Sequence, residues 1–275
     1  MNITERQLQI LEALARFKYL TSNQLAKLFK VKNSANVTRL LKDLNERKQP
    51  LVNYKGFGVI PIHGRLARVF FLTSHGKDLI QEALDYSEDS IKFVKNKHSL
   101  FQRDYFHRRD TVTFNMYFQQ WLANNNYQLH FFNYYFDKSG SNRNNTGETL
   151  NSLQVNDFKI VPDGIGLFNT PERPYLFLFE LHNGKDKGRA VNQISAHCLA
   201  ISTGSASDKY KISTSARVYY VFEEESCKRA VMEELKNDPH FANFNKHFLF
   251  KSMKSLQEDF YIGWHHFNGD LVNFI

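Results

Sequence analysis

The sequence predicts a mixed α+β / α/β chain in two parts: three short helices and a β-hairpin, then a helix, three strands, a helix and a strand. Three observations carry that prediction. Apolar residues recur at helical spacing as far as residue 48 and then give way to β-branched and aromatic runs. Further runs of that second kind then alternate with helical patterns. Charge divides along the same line: residues 1–80 hold 14 Lys and Arg against 5 Asp and Glu, a net of +9, whereas the remaining 195 residues carry a net of −1. An excess of positive charge confined to the first third points to a polyanionic partner, of which double-stranded DNA is the usual one.

Composition sets the outer limits. A chain of 275 residues with 42% apolar content and only 13 Gly and 6 Pro excludes collagen-like, low-complexity and disordered classes. The longest uncharged apolar runs, such as YLFLF at 175–179, fall far below the ~20 residues of a membrane span. The segment MNITERQLQI has no apolar stretch after its charges, so no secretory signal is expected. Cys198 and Cys227 match no zinc spacing and are too few for a disulfide framework. The expected compartment is the cytoplasm, with no membrane partner.

In the first part, Thr4 caps a helix over 4–16, with Leu8, Leu11, Ala13 and Leu14 at helical spacing. A second Thr/Ser cap opens TSNQLAKLF at 21–29. After Lys32-Asn33, the pattern SANVTRLLKDLNERK runs from 34 to 48, with Val37, Leu40, Leu41 and Leu44 facing inward. Its opposite side carries Asn36, Thr38, Arg39 and Lys42. A tight link between the second and third of three short helices makes a helix-turn-helix, whose last helix enters the major groove. LVNYKGFGVI at 51–60 and RLARVFFLT at 65–73 then flank the turn PIHG, predicting one hairpin in the place of a wing. Lys55, Arg65 and Arg68 stand ready for phosphates. The whole reads as a winged helix-turn-helix, and FFLTSHGKDLI at 70–80 resembles the strand-to-helix exit of winged-helix regulators. ALDYSEDSIKFVKNK at 83–97 continues as a polar helix or linker, and the expected domains are 1–95 and 96–275.

The second part opens with a long helical pattern over 98–124, its buried stripe marked by Phe114, Tyr117, Phe118 and Trp121 and extending back to Asp110 and His107. Strands are predicted at 127–136, 155–168 and 174–182, with a polar loop at 138–152. A helix follows at 186–201, a fully apolar strand at 216–222, a helix at 224–236, a short strand at 247–250 and a last aromatic strand around 260–267.

Two acids end adjacent strands of this series: Asp163 in IVPDG and Glu180 in FELHNGKD, 17 residues later. An acid closing an apolar strand is costly to bury without a partner, which marks Glu180 as a candidate site residue. The order αβββαβ with this pair resembles the restriction-endonuclease-like PD-(D/E)xK fold. The resemblance implies that Asp163 and Glu180 hold a divalent metal, Mg²⁺, whose preference is for hard oxygen ligands. It also implies a Lys two residues after the second acid, and His182 stands there instead. Lys185 or Lys187 could reach back from the following turn. Asp110 could supply a further acid, and Gln193 and His197 lie one helical turn apart toward the same sheet end. His98, His107 and the pair His265-His266 lack metal-ligand spacing.

With its basic winged helix first, the arrangement resembles the replication-relaxation family of bacterial plasmids and integrative elements. The resemblance rests on FFLTSHGK, on His98-Ser99-Leu100, and on VPDG, FELHNGKD and NQISAH. It implies DNA binding in plasmid replication, relaxation, mobilisation (conjugation) or transcriptional control. A homodimer and relaxase or replication proteins are further partners it admits. Two function classes therefore stand: a DNA-binding accessory with a non-catalytic nuclease-like domain, and a Mg²⁺-dependent nuclease or nickase targeted by the winged helix. The missing Lys at position 182 favours the first.

Overall fold

The computed structural model describes residues 3–87, 90–94, 104–137 and 149–275, a mixed α+β chain of sheets and helices. It forms two compact units, Met1–Met116 and Tyr117–Ile275.

The first unit begins with α1 (Glu5–Phe17), where the Thr4 hydroxyl accepts from the Gln7 backbone N–H and the Gln7 side chain accepts from Thr4 in return. The same reciprocal box, made by Thr21 and Gln24, follows the two-residue strand β1 (Leu20–Thr21) and starts α2 (Ser22–Leu28). Asn33 caps α3 (Ser34–Asn45) through the Ala35 N–H. Leu25, Val37, Leu41 and Leu44 then bury the inner sides of α2 and α3. Next come β2 (Val52–Lys55), β3 (Val59–Ile60), β4 (Gly64–Arg65), β5 (Val69–Leu72) and α4 (Ser74–Leu84).

The single hairpin expected over 51–60 and 65–73 is corrected to two tiers. β5 pairs with both β1 and β2 in a three-stranded antiparallel sheet, while β3 and β4 pair only with each other farther out. Gly58, at φ +77, interrupts the first strand, and its carbonyl accepts from the Leu66 N–H across the gap at 3.1 Å. β1 is too short for any periodicity to betray it.

The division between units falls inside α5 (Tyr105–Asn124), well beyond the boundary expected near residue 95. Gln24 fastens the first turns of α5 to α2: its amide donates to the Arg109 carbonyl (2.9 Å) and the Thr113 hydroxyl (3.1 Å). His98-Ser99-Leu100 lies outside the described residues, as do Glu88, Asp89 and most of the loop at 138–152. α5 is also buried around nearly its whole circumference, Thr111, Thr113, Asn115 and Gln119 included, rather than along one stripe.

The second unit adds β6 (Gln128–Tyr134), β7 (Leu153–Val155), β8 (Phe158–Ile160), β9 (Gly164–Asn169), β10 (Pro174–His182), α6 (Lys187–Ser202), α7 (Ser205–Tyr210), β11 (Arg217–Phe222), α8 (Glu225–Asn237), a 3-10 stretch at Pro239–His247, β12 (Phe248–Ser252), α9 (Met253–Glu258), β13 (Trp264–His265) and β14 (Leu271–Val272). The strand expected over 155–168 is in fact a small hairpin, β7 with β8, followed by β9. Asn156 takes the left-handed turn conformation (φ +49), and Pro162 brings no N–H to a ladder.

Seven strands form the main sheet in the order β14-β13-β12-β11-β10-β9-β6. β10, β11 and β12 run parallel, with antiparallel neighbours on both flanks. Alternation along β10 sorts its side chains onto two faces. Phe177 joins an aromatic layer with Phe118, Phe132, Phe168, Tyr219 and Phe274. Leu176 and Leu178 pack on the other face with Val218, Tyr220, Phe250 and the inner sides of α6 and α8. Glu180 and His182 continue this second series, so both acquire α6 as their cover.

Candidate functional site

The buried carboxyl group of Asp163 is placed by the backbone around it. The side chain of Asn151, fully buried, donates to the carbonyls of Pro162 (2.9 Å) and Asn133 (3.0 Å), while the Tyr135 N–H donates to the Asp163 carbonyl (3.0 Å). Gly164 lets this bend sit close to β6, because a Cβ there would stand 2.6 Å from Cζ of Phe132. The antiparallel register pairs Gly164 with Phe179, which sets Asp163 beside Glu180. The Leu181 N–H then donates to Oδ2 of Asp163 at 2.8 Å.

Glu180 is 1% exposed. Its Oε2 accepts from the Gln193 side-chain amide at 2.6 Å, and its Oε1 lies 2.5 Å from Nε2 of His197. Gln193 and His197 are four residues apart on α6, hence on one face of it. The Gln193 Oε1 accepts in turn from the Tyr220 hydroxyl at 2.8 Å. Tyr220 stands directly opposite Glu180 in the parallel register of β10 and β11.

Burial drives the titration of this cluster. It pushes the Glu180 carboxyl well above the usual range, and the charge of Asp163 and a hydrogen bond with it add to the effect. Burial also lowers His197 to about 4, against a smaller upward pull from Asp163. Burial, then Glu180 and Asp163, raise the Tyr220 phenol. His197 is therefore neutral at physiological pH, with Nε2–H donating to Glu180 and its buried Nδ1 bearing the lone pair, which meets no hydrogen-bond donor.

The residues expected around the pair fall out as follows. His182 is 2% exposed and packs its ring 5.7 Å from that of Phe222. Lys187 pairs with Glu234 at 2.7 Å instead of reaching back, and Lys185 is exposed on the turn. Asp110 belongs to the first unit, where the Arg109 guanidinium grips both its oxygens at 2.7 and 2.8 Å. The His266 ring sits 2.8 Å from the Phe248 carbonyl. Sequence reasoning missed Tyr220 and Asn151. The alternation in RVYYVF could have marked Tyr220 as the neighbour of Glu180; a lone Asn at the end of a polar loop carries no such signal.

This donor set does not fit Mg²⁺. Both Glu180 oxygens and Oδ2 of Asp163 are engaged by protein donors, and a carboxyl group so deeply covered leaves no place for the waters that Mg²⁺ retains. Among the described residues, no group of three or more His, Cys, Asp and Glu is arranged to hold a metal ion.

A second candidate face lies in the first unit. Asn36, Thr38, Arg39 and Lys42 are all exposed on α3, opposite its buried Val37, Leu41 and Leu44. Thr38 turns its hydroxyl to the Ser34 carbonyl (3.0 Å), and Lys42 makes a loose, solvent-exposed pair with Glu46 at 3.7 Å. Arg65 and Arg68 are exposed on the hairpin, Lys55 is half-buried at the end of β2, and the Arg68 guanidinium lies 4.5 Å from the centre of the Tyr54 ring.

Fold and sites together define a mixed α+β protein with exposed basic side chains on α3 and the hairpin and a buried pair of adjacent carboxyl groups. No protein-family model, curated protein or solved structure matches the chain. No helix among the described residues is long and apolar enough to cross a membrane.

Proposed function

We propose that this chain is a sequence-specific double-stranded DNA-binding protein of a bacterial mobile element, acting in plasmid replication, relaxation, mobilisation or its transcriptional control. In this reading the first unit is a winged helix-turn-helix of the replication-relaxation type. The second is a PD-(D/E)xK-like domain that does not cleave. The observation that carries the reading is the coincidence of the +9 charge of residues 1–80 with four exposed polar and basic side chains on one side of α3 and two exposed arginines on the adjoining hairpin. A helix presenting Asn36, Arg39 and Lys42 has the donors that base edges in the major groove accept. The hairpin cations serve the phosphates, which position the protein without reading sequence. Asp163 and Glu180 support the non-catalytic half of the reading, since a phosphodiester cannot approach carboxyl groups sealed under α6.

Two measurements test it. A selection of binding sites from random duplexes should yield one preferred sequence, and Arg39→Ala with Lys42→Ala should erase that preference while non-specific binding persists, at about 1–3 kcal/mol per lost base contact. Unchanged preference in the double variant removes α3 from the reading role. Supercoiled plasmid incubated with the protein and Mg²⁺ or Mn²⁺ should remain supercoiled. Nicking that Asp163→Ala abolishes would establish the nuclease alternative.

A further inference from the structure

The outer hairpin carries a feature that phosphate binding does not use. Ile62, at the tip between β3 and β4, is 89% exposed, the most exposed large apolar side chain among the described residues, and Val59 beside it is 71% exposed. An isolated exposed isoleucine is ordinary; this one sits in unusual company. From Arg47 to Lys77 the chain has six Lys and Arg and not one Asp or Glu. An apolar tip within so basic a segment suits a surface that is anionic outside and apolar within.

The tip is also braced. The His63 ring packs 4.6 Å from that of Phe106, and Phe57 packs 5.0 Å from Tyr105. The Tyr105 hydroxyl donates to the Ala67 carbonyl at 3.1 Å. These contacts tie the turn and the two ends of the hairpin to the first turn of α5, and among the described residues β3 and β4 have no other strand beside them. The turn itself is closed by the His63 N–H on the Ile60 carbonyl (3.1 Å) and by Gly64 at φ +68. A side chain that must part stacked bases needs such a fixed mount, because a floppy one would fold back instead.

We infer that Ile62 is an apolar wedge that enters the minor groove beside the α3 site, partly unstacks a base step and bends the duplex toward the major groove. Branched apolar side chains perform this role when flanking cations hold the backbone on either side, with kinks of about 20–90°. Arg65 and Arg68, both exposed, are the cations nearest to Ile62 along the chain. Flexible pyrimidine–purine steps are the preferred point of entry, because their deformation costs least. The inference rests on the DNA-binding reading above and adds to it a mechanical function: the protein reshapes its site as well as marking it.

The experiment uses the full chain and short duplexes labelled at both ends, with 2-aminopurine placed at a central TA step. Binding should raise end-to-end energy transfer and 2-aminopurine fluorescence together. Ile62→Ala should bind within about threefold of the parent, since the phosphate contacts remain, and should lose both signals. Ile62 touches little in the folded chain, so the variant should keep the parent's circular dichroism and melting temperature. Binding without bending by the parent, or undiminished bending by Ile62→Ala, overturns the wedge and leaves DNA binding intact. Absence of duplex binding at low salt by parent and variant alike overturns the DNA reading itself. Capture of the parent, but not Ile62→Ala, on vesicles of anionic phospholipid with no change in either DNA signal would assign the tip to a membrane surface instead.

Discussion

Glu180 occupies a setting that discharges a carboxylate. It is nearly inaccessible to water, its neighbour Asp163 is also acidic, and its partners are the neutral donors Gln193 and His197. Among the described residues, the cation acting on it is the exposed Arg189 at the start of α6, whose field opposes burial weakly. The raised Glu180 pKa contributes stability that is fully present below the unfolded-state value and is lost as pH climbs through the folded-state one. His197, lowered from 6.5 to about 4, works at the other end: its contribution is complete above 6.5 and disappears as pH falls through about 4. Glu180→Gln keeps the shape and removes the charge. Its melting temperature relative to the parent should therefore rise as pH climbs above the ordinary carboxylate range. A pH-independent difference would mean that burial does not raise the Glu180 carboxyl in the folded chain.

Among the elements, α2 shows how one side chain serves two purposes. Gln24 completes the capping box with Thr21 and at the same time donates to Arg109 and Thr113 of α5. Gln24→Ala leaves the Thr21 N–H without its acceptor and takes the amide donor away from two α5 acceptors, so it should lower stability by about 1–3 kcal/mol in urea unfolding. A surface value of a few tenths would show that the box alone matters. The first three helices, the strand at β10, the helix at α6 and the apolar strand at β11 were legible in the sequence because each is long enough for its hydrophobic period to repeat, and β13 falls inside the aromatic strand expected around 260–267. β1 and β14 have two residues apiece, and no period exists in two residues. The break at Asn156 and Pro162 lay in plain view in VNDFKIVPDG, but the apolar residues on either side imitate one continuous strand. In the site, the juxtaposition of Asp163 with Glu180 followed from strand order. The engagement of both Glu180 oxygens did not, because it depends on the rotation of α6, whose Gln193 is held in turn by Tyr220 from a strand still farther along the chain.

For the molecule as a whole, the dominant property is the separation of charge along the chain. Residues 1–80 carry a net of +9 and the remainder a net of −1, which favours residues 1–80 as the segment a polyanion would contact. Affinity of the full chain for duplex DNA should fall linearly with the logarithm of salt concentration, and Lys55→Ala with Arg65→Ala should reduce the slope by about 2. Binding by fluorescence anisotropy across a salt series measures it, and an unaltered slope would remove those two residues from the phosphate contacts. The two compact units, by contrast, are not separable in the way their charges are. They meet within one continuous helix of 20 residues, not at a connecting segment. A fragment ending near residue 95 would leave Gln24 facing no helix, and one ending at Met116 would sever α5 midway, stripping its last carbonyls of their partners. Anyone grafting the basic segment onto another protein must therefore carry the opening turns of α5 with it.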